Sequence, residues 1–233
     1  MDNLKILPLN IKLDLDEVKQ NPILPSVPGI SLFCAPPRSG KTVLCTNLLI
    51  RKCMWGSIFE PENVFIFSPS INNDRGSKYL KENFNCLDEY SDKALQQILD
   101  RQMKFINEDQ KAPLILILFD DCMGILKKSN LINRLCSNYR HYNIGQIIFS
   151  LQSYKGIPNQ IRFNLTSLFL LAPNTNAKSL RMIDEEIDAF GGFTNFMKLF
   201  NEATNNQERY KFMYVKLDYS PVQIWSCFDK RIQ

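Results

Sequence analysis

The chain has 233 residues, 45% hydrophobic and 22% charged, which is enough apolar material for the core of one domain and too much for a disordered chain. Its net charge of +4 is too small to mark a nucleic-acid binder by itself. The longest apolar run, 114–119, falls far short of the ~20 residues of a membrane span, and the acidic, Pro8-interrupted start differs from a secretory or transit peptide, so the chain reads as soluble and intracellular with no membrane partner.

Residues 1–29 carry Pro8, Pro22, Pro25 and Pro28 without a periodic run, and read as an N-terminal arm before a domain spanning 30–233. Residues 30–34 are a short apolar run ending at turn residues, a buried strand. From Thr42 to Cys53, Leu44 pairs with Leu48 and Cys45 with Leu49 at the i,i+4 spacing of a helix. Residues 64–67 form the next strand, closed by Ser68-Pro69. Leu95, Ile98, Leu99, Met103 and Ile106 repeat at helical spacing, with Ser91 or Asp92 placed to cap that helix. The run 114–119 is an all-apolar strand ending in Asp120-Asp121. Leu131, Ile132, Leu135, Cys136 and Tyr139 predict a helix, and 144–151 a strand ending at Gln152. Residues 165–171 predict a strand closed by Ala172-Pro173, followed by a helix through Leu180, Ile183, Ile187 and Phe190. Met213, Val215 and Leu217 alternate with Phe212, Tyr214 and Lys216, the pattern of a half-exposed strand. Polar loops are expected at 72–76 and 201–208. Strands that are apolar throughout, separated by helices, predict an α/β fold with a mostly parallel sheet covered on both faces.

Seven cysteines, Cys34, Cys45, Cys53, Cys86, Cys122, Cys136 and Cys227, show no C-x-x-C spacing and read as free, mostly buried thiols in a reducing compartment. With His141 the only histidine, a zinc site is not expected.

Between the first strand and the first helix lies Ala35-Pro-Pro-Arg-Ser-Gly-Lys-Thr42. The P-loop pattern G-x-x-x-x-G-K-[ST] is intact at Gly40, Lys41 and Thr42, while Ala35 replaces the first glycine. A bare G-K-T is a weak signal, and the flanking strand and helix strengthen it. Lys41 is expected to reach the β- and γ-phosphates of ATP, and the Thr42 hydroxyl to ligate Mg²⁺. Pro36 and Pro37 have no N–H, so the phosphate-facing amides are expected from Arg38, Ser39, Gly40, Lys41 and Thr42. The strand ending in Asp120-Asp121 reads as a Walker B: Asp120 would hold Mg²⁺ and Asp121 would polarise the attacking water. Gln152, at the end of the next strand, is placed to touch the γ-phosphate or that water.

The order G-K-T, apolar-Asp-Asp, Tyr139-Arg140-His141, Ser150-Leu-Gln152 and Ile157-Pro158…Ile161-Arg162-Phe-Asn164, over roughly residues 28 to 218, resembles the FtsK–HerA superfamily of DNA-pumping ATPases. It looks closest to the genome-packaging ATPases of large DNA viruses and virophages. That resemblance implies a RecA-like P-loop NTPase sheet of strand order 5-1-4-3-2, a homo-oligomeric ring of five or six subunits, and ATP at the subunit interfaces. It further implies double-stranded DNA in the pore, a viral capsid vertex or portal as partner, and a place in the host cytoplasm at the virus factory or on the virion. It makes Arg140 a candidate arginine finger and Arg162 a second one; His141 reads as a packing or hydrogen-bonding residue rather than a catalyst. Lys127-Lys128 and Tyr154-Lys155 follow the site strands, where such motors carry pore loops, and the lysines Lys127, Lys128 and Lys155 are the candidate DNA contacts. The leading expectation is an ATP-driven packaging translocase. The alternatives are a helicase or DNA-transfer motor, and a slow nucleotide-dependent switch that pumps nothing.

Overall fold

The computed structural model describes residues 19–72, 77–108, 110–172, 177–204 and 210–233. Along the chain run β1 (Gly29–Cys34), α1 (Lys41–Ile50), β2 (Val64–Phe67), α2 (Lys78–Asn83), β3 (Asn85–Leu87), α3 (Asp92–Asn107), β4 (Ile115–Asp120), α4 (Met123–Leu126), α5 (Asn130–Asn138) and β5 (Ile144–Leu151). Then come α6 (Asn159–Arg162), β6 (Ser167–Leu171), α7 (Ala177–Ile187), α8 (Phe193–Thr204), β7 (Phe212–Lys216), β8 (Gln223–Ser226) and β9 (Lys230–Arg231). Among these residues no helix is long and apolar enough to cross a membrane.

The strands form one sheet in the order β3-β2-β4-β5-β1-β6-β7-β8-β9. Five of the six strands expected from the sequence stand at its centre as β2-β4-β5-β1-β6, which is the order 5-1-4-3-2 read from the other edge, and the sixth, at 212–216, is β7 beside β6. The sheet extends that five-strand order by β3 outside β2 and by an antiparallel run β7-β8-β9 beyond β6, of which only β7 was expected from the sequence. The central strands are parallel and buried, so each alternates between two apolar faces. Ile115, Ile117 and Phe119 of β4 pack with α3, α5, α7 and α8, while Leu116 and Leu118 pack with α1 and α2.

Several local expectations shift. Helix α1 ends at Ile50 rather than Cys53, because Arg51 turns extended and the chain folds back, with the amides of Met54 and Gly56 donating to the Arg51 carbonyl at 2.8 and 3.1 Å. Gly56 permits this reversal, since a Cβ there would lie 2.7 Å from the Ile50 carbonyl group. Ser91, not Asp92, caps α3, its Oγ accepting from the Ala94 amide at 3.1 Å. The strand at 212–216 is not half-exposed: all five residues are buried, because β6 and β8 flank it and core packs on both faces. Even Lys216 is buried; its Nζ donates to the carbonyls of Pro22 and Leu24 at 2.7 and 3.2 Å. Residues 19–28 are thereby held against the domain, with Leu24 and Val27 in its core and Gln146 Nε2 donating to the Ser26 carbonyl at 3.3 Å. Residues 1–18, Pro173, 73–76 of the first expected polar loop and 205–208 of the second lie outside the described residues, while 201–204 are not loop but the last turn of α8.

Candidate active site

Parallel register builds the centre of the site. Phe67, Phe119 and Phe149 are aligned on β2, β4 and β5, and their rings stack at 5.4 and 5.3 Å between centroids. Such pairs contribute about 0.5–1.5 kcal/mol each beyond burial, and they lock the three strand ends side by side. The next residue on each strand is polar: Ser68, Asp120 and Ser150. Asp120 is therefore set between two serines at the carboxyl edge of the sheet, and Ser68 Oγ donates to its Oδ2 at 3.0 Å. Burial is the main cause that pushes the Asp120 carboxyl above its ordinary value, and the Asp121 charge adds to it. Ser150, Ser68 and the Lys41 ammonium pull it the other way. The Ser150 hydroxyl sits close enough to do so, yet its buried Oγ completes no hydrogen bond. Ser68 escaped sequence reasoning, although a serine directly after an apolar strand was its visible signal.

The phosphate loop follows β1. The Ala35 amide donates to the Leu151 carbonyl at 3.1 Å, which ties the loop's start to β5. Pro36 and Pro37 come next, and Arg38 and Gly40 both adopt left-handed backbone, with φ of 63° and 95°. Gly40 is the N-cap of α1, which has no side-chain cap and no acid in its first turn. The amides of residues 38–42 find no acceptor among the described residues. They form a donor-lined concavity at a helix N-terminus, the arrangement that holds anions. Lys41 is buried and lies back along the loop, its Nζ donating to the carbonyls of Ala35 at 2.7 Å and Pro36 at 3.2 Å. Ser39 Oγ donates to the same Pro36 carbonyl at 2.8 Å. Ala35 and Pro36 thus present acceptors to Lys41, and the donors are left to residues 38–42.

Asp121 and Gln152 are brought together: Gln152 Nε2 donates to Asp121 Oδ1 at 3.4 Å, and both side chains are exposed at the sheet's carboxyl edge. Asp121 has a φ of 52°, a conformation Asp tolerates at modest cost, while its amide still donates to the Ser150 carbonyl at 3.0 Å. The residues present fit a hydrated Mg²⁺: a half-buried Thr42 beginning α1, one buried carboxylate and the orphaned Ser150 hydroxyl. No cluster of three or more His, Cys, Asp or Glu able to hold a metal exists among the described residues. That suits an ion held by one carboxylate and substrate oxygens rather than by a protein cage.

The two arginines differ. Arg162 is committed within its own chain: it pairs with Glu186 of α7 at 3.1 Å, lies 5.2 Å from the Tyr154 ring centroid and donates to Asn159. Only 7% of its side chain is exposed, and its guanidinium joins α6 to α7. Arg140 is exposed, its Nε donating to the Tyr139 phenol oxygen at 3.3 Å and its guanidinium 5.7 Å from that ring's centroid. It precedes β5, at the opposite end of the sheet from the phosphate loop, and cannot serve its own site. His141 beside it is exposed, not packed.

Lys127, Lys128 and Lys155 are exposed on adjoining loops, where Met123 of α4 packs on Gly156 so closely that a Cβ there would lie 3.0 Å from its Sδ. Tyr154, beside Lys155, is buried under the Arg162 guanidinium.

Comparison with known proteins gives three findings. A family model described as Poxvirus A32 protein matches residues 33–231. The crystal structure of B204, the DNA-packaging ATPase from Sulfolobus turreted icosahedral virus, is similar with a TM-score of 0.60 at 13% identity, over 84% of this chain and 96% of that one. The genome packaging NTPase B204 from Sulfolobus turreted icosahedral virus 2 in complex with AMPPCP gives 0.58 at 14%, over 84% and 96%. The cytoplasmic domain of the Thermomonospora curvata type VII secretion ATPase EccC gives 0.57 at 9%, over 84% of this chain and 25% of that one. At these identities the structural likeness shows the fold, a P-loop NTPase α/β sheet. No curated protein sequence matches.

Proposed function

Because the chain belongs to the Poxvirus A32 protein family, we propose that it is an ATPase that drives double-stranded DNA into a viral capsid as a homo-oligomeric ring. The observation that carries this reading is the convergence of Lys41, Thr42 and Asp120 at one edge of the sheet, with the Asp121–Gln152 pair beside them. The triphosphate rests on the amides of residues 38–42. Lys41 leaves the Ala35 and Pro36 carbonyls for the β- and γ-phosphates, exchanging neutral acceptors for charged ones. Thr42 and Asp120 would hold Mg²⁺, which would supply positive charge against the charge developing on the phosphates. Asp121 accepts a proton from the attacking water, and Gln152 fixes both the carboxylate and the water. Arg140 acts on a neighbour's site in the ring, since a whole strand separates it from its own.

Exposed Lys127, Lys128 and Lys155 contact DNA phosphates, which gives sequence-independent, salt-sensitive grip. A capsid vertex or portal supplies the docking partner, at the virus factory in the host cytoplasm. The test is ATP hydrolysis by the purified protein, with and without double-stranded DNA, beside Lys41→Ala. We expect stimulation by any DNA sequence, weakened by salt and lost in the variant. Hydrolysis indifferent to DNA, with and without capsid shells, would replace the motor with a nucleotide switch. DNA-stimulated turnover with no effect of shells would favour a transfer motor or helicase.

A further inference from the structure

A second hollow, of about 270 Å³, opens beside the phosphate loop along the flank of α1. Gly40 belongs to both, and Val43 and Asn47 continue down the same side of the helix. The facing wall comes from the chain's far end: Tyr210 just before β7, then Phe228 and Asp229 in the turn after β8. Phe228 is fixed edge-on by Phe212 and Tyr214, at 5.3 and 5.4 Å between centroids. Tyr210 is half-exposed and lies so close to the loop that a Cβ on Gly40 would meet its Cδ1 at 2.3 Å. Gly40 is therefore required twice, for its left-handed φ and for this approach.

We infer that this hollow receives the nucleobase of the nucleotide whose phosphates lie on residues 38–42, with the Tyr210 ring as its stacking surface; this rests on the nucleotide-binding reading above. The hollow is contiguous with the phosphate cradle through a single residue, as one ligand with an anionic end and a flat heterocyclic end requires. Its volume lies just below the ~300 Å³ at which sites for drug-sized ligands begin, a scale that fits one base. Its walls pair the apolar and aromatic faces of Val43, Met54, Tyr210 and Phe228 with three polar side chains, Asn47, Arg51 and Asp229. Asn47 Nδ2 donates to the Val43 carbonyl at 2.8 Å, which leaves Oδ1 as an acceptor, and Asp229 offers a carboxylate. Acceptors of this kind match the exocyclic amine of a base.

The test compares Mg²⁺-ATP with Mg²⁺-tripolyphosphate, which has the anionic end and no base, by calorimetry on the whole chain. Tyr210→Ala is expected to weaken ATP roughly tenfold or more and leave tripolyphosphate unchanged, since base–aromatic stacking is lost. Tyr210→Phe, which keeps the ring, should bind both as wild type does. Undiminished ATP affinity in Tyr210→Ala would overturn the inference. Equal weakening of both ligands would also overturn it, since the ring would then merely prop the loop. Wild-type protein that bound tripolyphosphate but held ATP no tighter would reject the base site while sparing the phosphate site. Binding of neither ligand would reject the nucleotide reading itself, and this inference with it.

Discussion

Asp120 and Asp121 are neighbours in sequence but live in different media. Asp120 is buried at the end of β4, while Asp121 turns out into solvent through its left-handed backbone. Only Asp121 has an acceptor free to take a proton from water at the exposed edge. Asp121→Asn should retain ATP affinity and lower turnover by about 10²–10⁴, the usual worth of a general base. Normal turnover in that variant, measured by phosphate release, would remove Asp121 from the mechanism. Asp120 carries the pH dependence. Its folded-state value lies above the unfolded one, so the neutral acid is favoured by folding. That contribution is complete below the ordinary carboxylate range and is lost as pH rises through the raised value. Mg²⁺ needs the ionised form, so metal affinity has the opposite slope, falling as pH drops through that raised value. Mg²⁺ titrations of the ATP complex at several pH values should show this fall, and Asp120→Asn should flatten it.

At the level of elements, one clamp holds the site's outer wall. Arg162 on α6 reaches Glu186 on α7 across the Tyr154 ring, and Tyr154 lies in the turn carrying Lys155. Removing one partner of a buried ion pair strands the other charge, which costs ~3–5 kcal/mol; Glu186, 28% exposed, recovers some hydration and moves the expectation to the lower end. Arg162→Ala should therefore lower stability by about 3 kcal/mol in urea unfolding, and wild-type neighbours in a ring should not restore it. If the variant kept full stability and lost only turnover, Arg162 would remain a finger candidate. The sequence placed Arg162 in an Ile-Arg-x-Asn stretch but held no sign of Glu186, because the pairing depends on how α7 packs over α6.

For the whole molecule, the parallel sheet separates two ends. The phosphate loop, Asp120, Asp121 and Gln152 share the carboxyl end, and Arg140 stands before β5 at the other. The eight residues of β5 span roughly 25 Å at ~3.3 Å per residue, too far for any arginine side chain to bridge. Arg140→Ala should bind ATP normally and lose turnover alone. Rings mixing Arg140→Ala with Lys41→Ala should regain turnover at interfaces where an intact arginine meets an intact phosphate loop. Mixed rings as inactive as either parent would assign Arg140 a structural role.

Much of this was legible in the residues themselves. G-K-T between a strand and a helix, and a six-residue apolar run ending in two acids, pointed to the candidate phosphate and metal residues because those chemistries need fixed residue types at fixed local spacings. The central strand order followed from the resemblance those motifs carried. What the sequence left open was set by long-range packing. The burial of β7 came from two flanking strands, and the tether between Lys216 and residues 22–24 joined positions nearly two hundred apart. Ser68 reached Asp120 only through the register of β2 on β4, and Tyr210 reached Gly40 only because β7 and β8 extend the sheet past β6. Local chemistry is written in neighbouring residues, whereas a contact between distant segments exists only once the core has fixed strand order and register. Hence the sequence alone determined the phosphate loop and its acids, and the tertiary structure decided which arginine is free, which tyrosine is buried and where a base can lie.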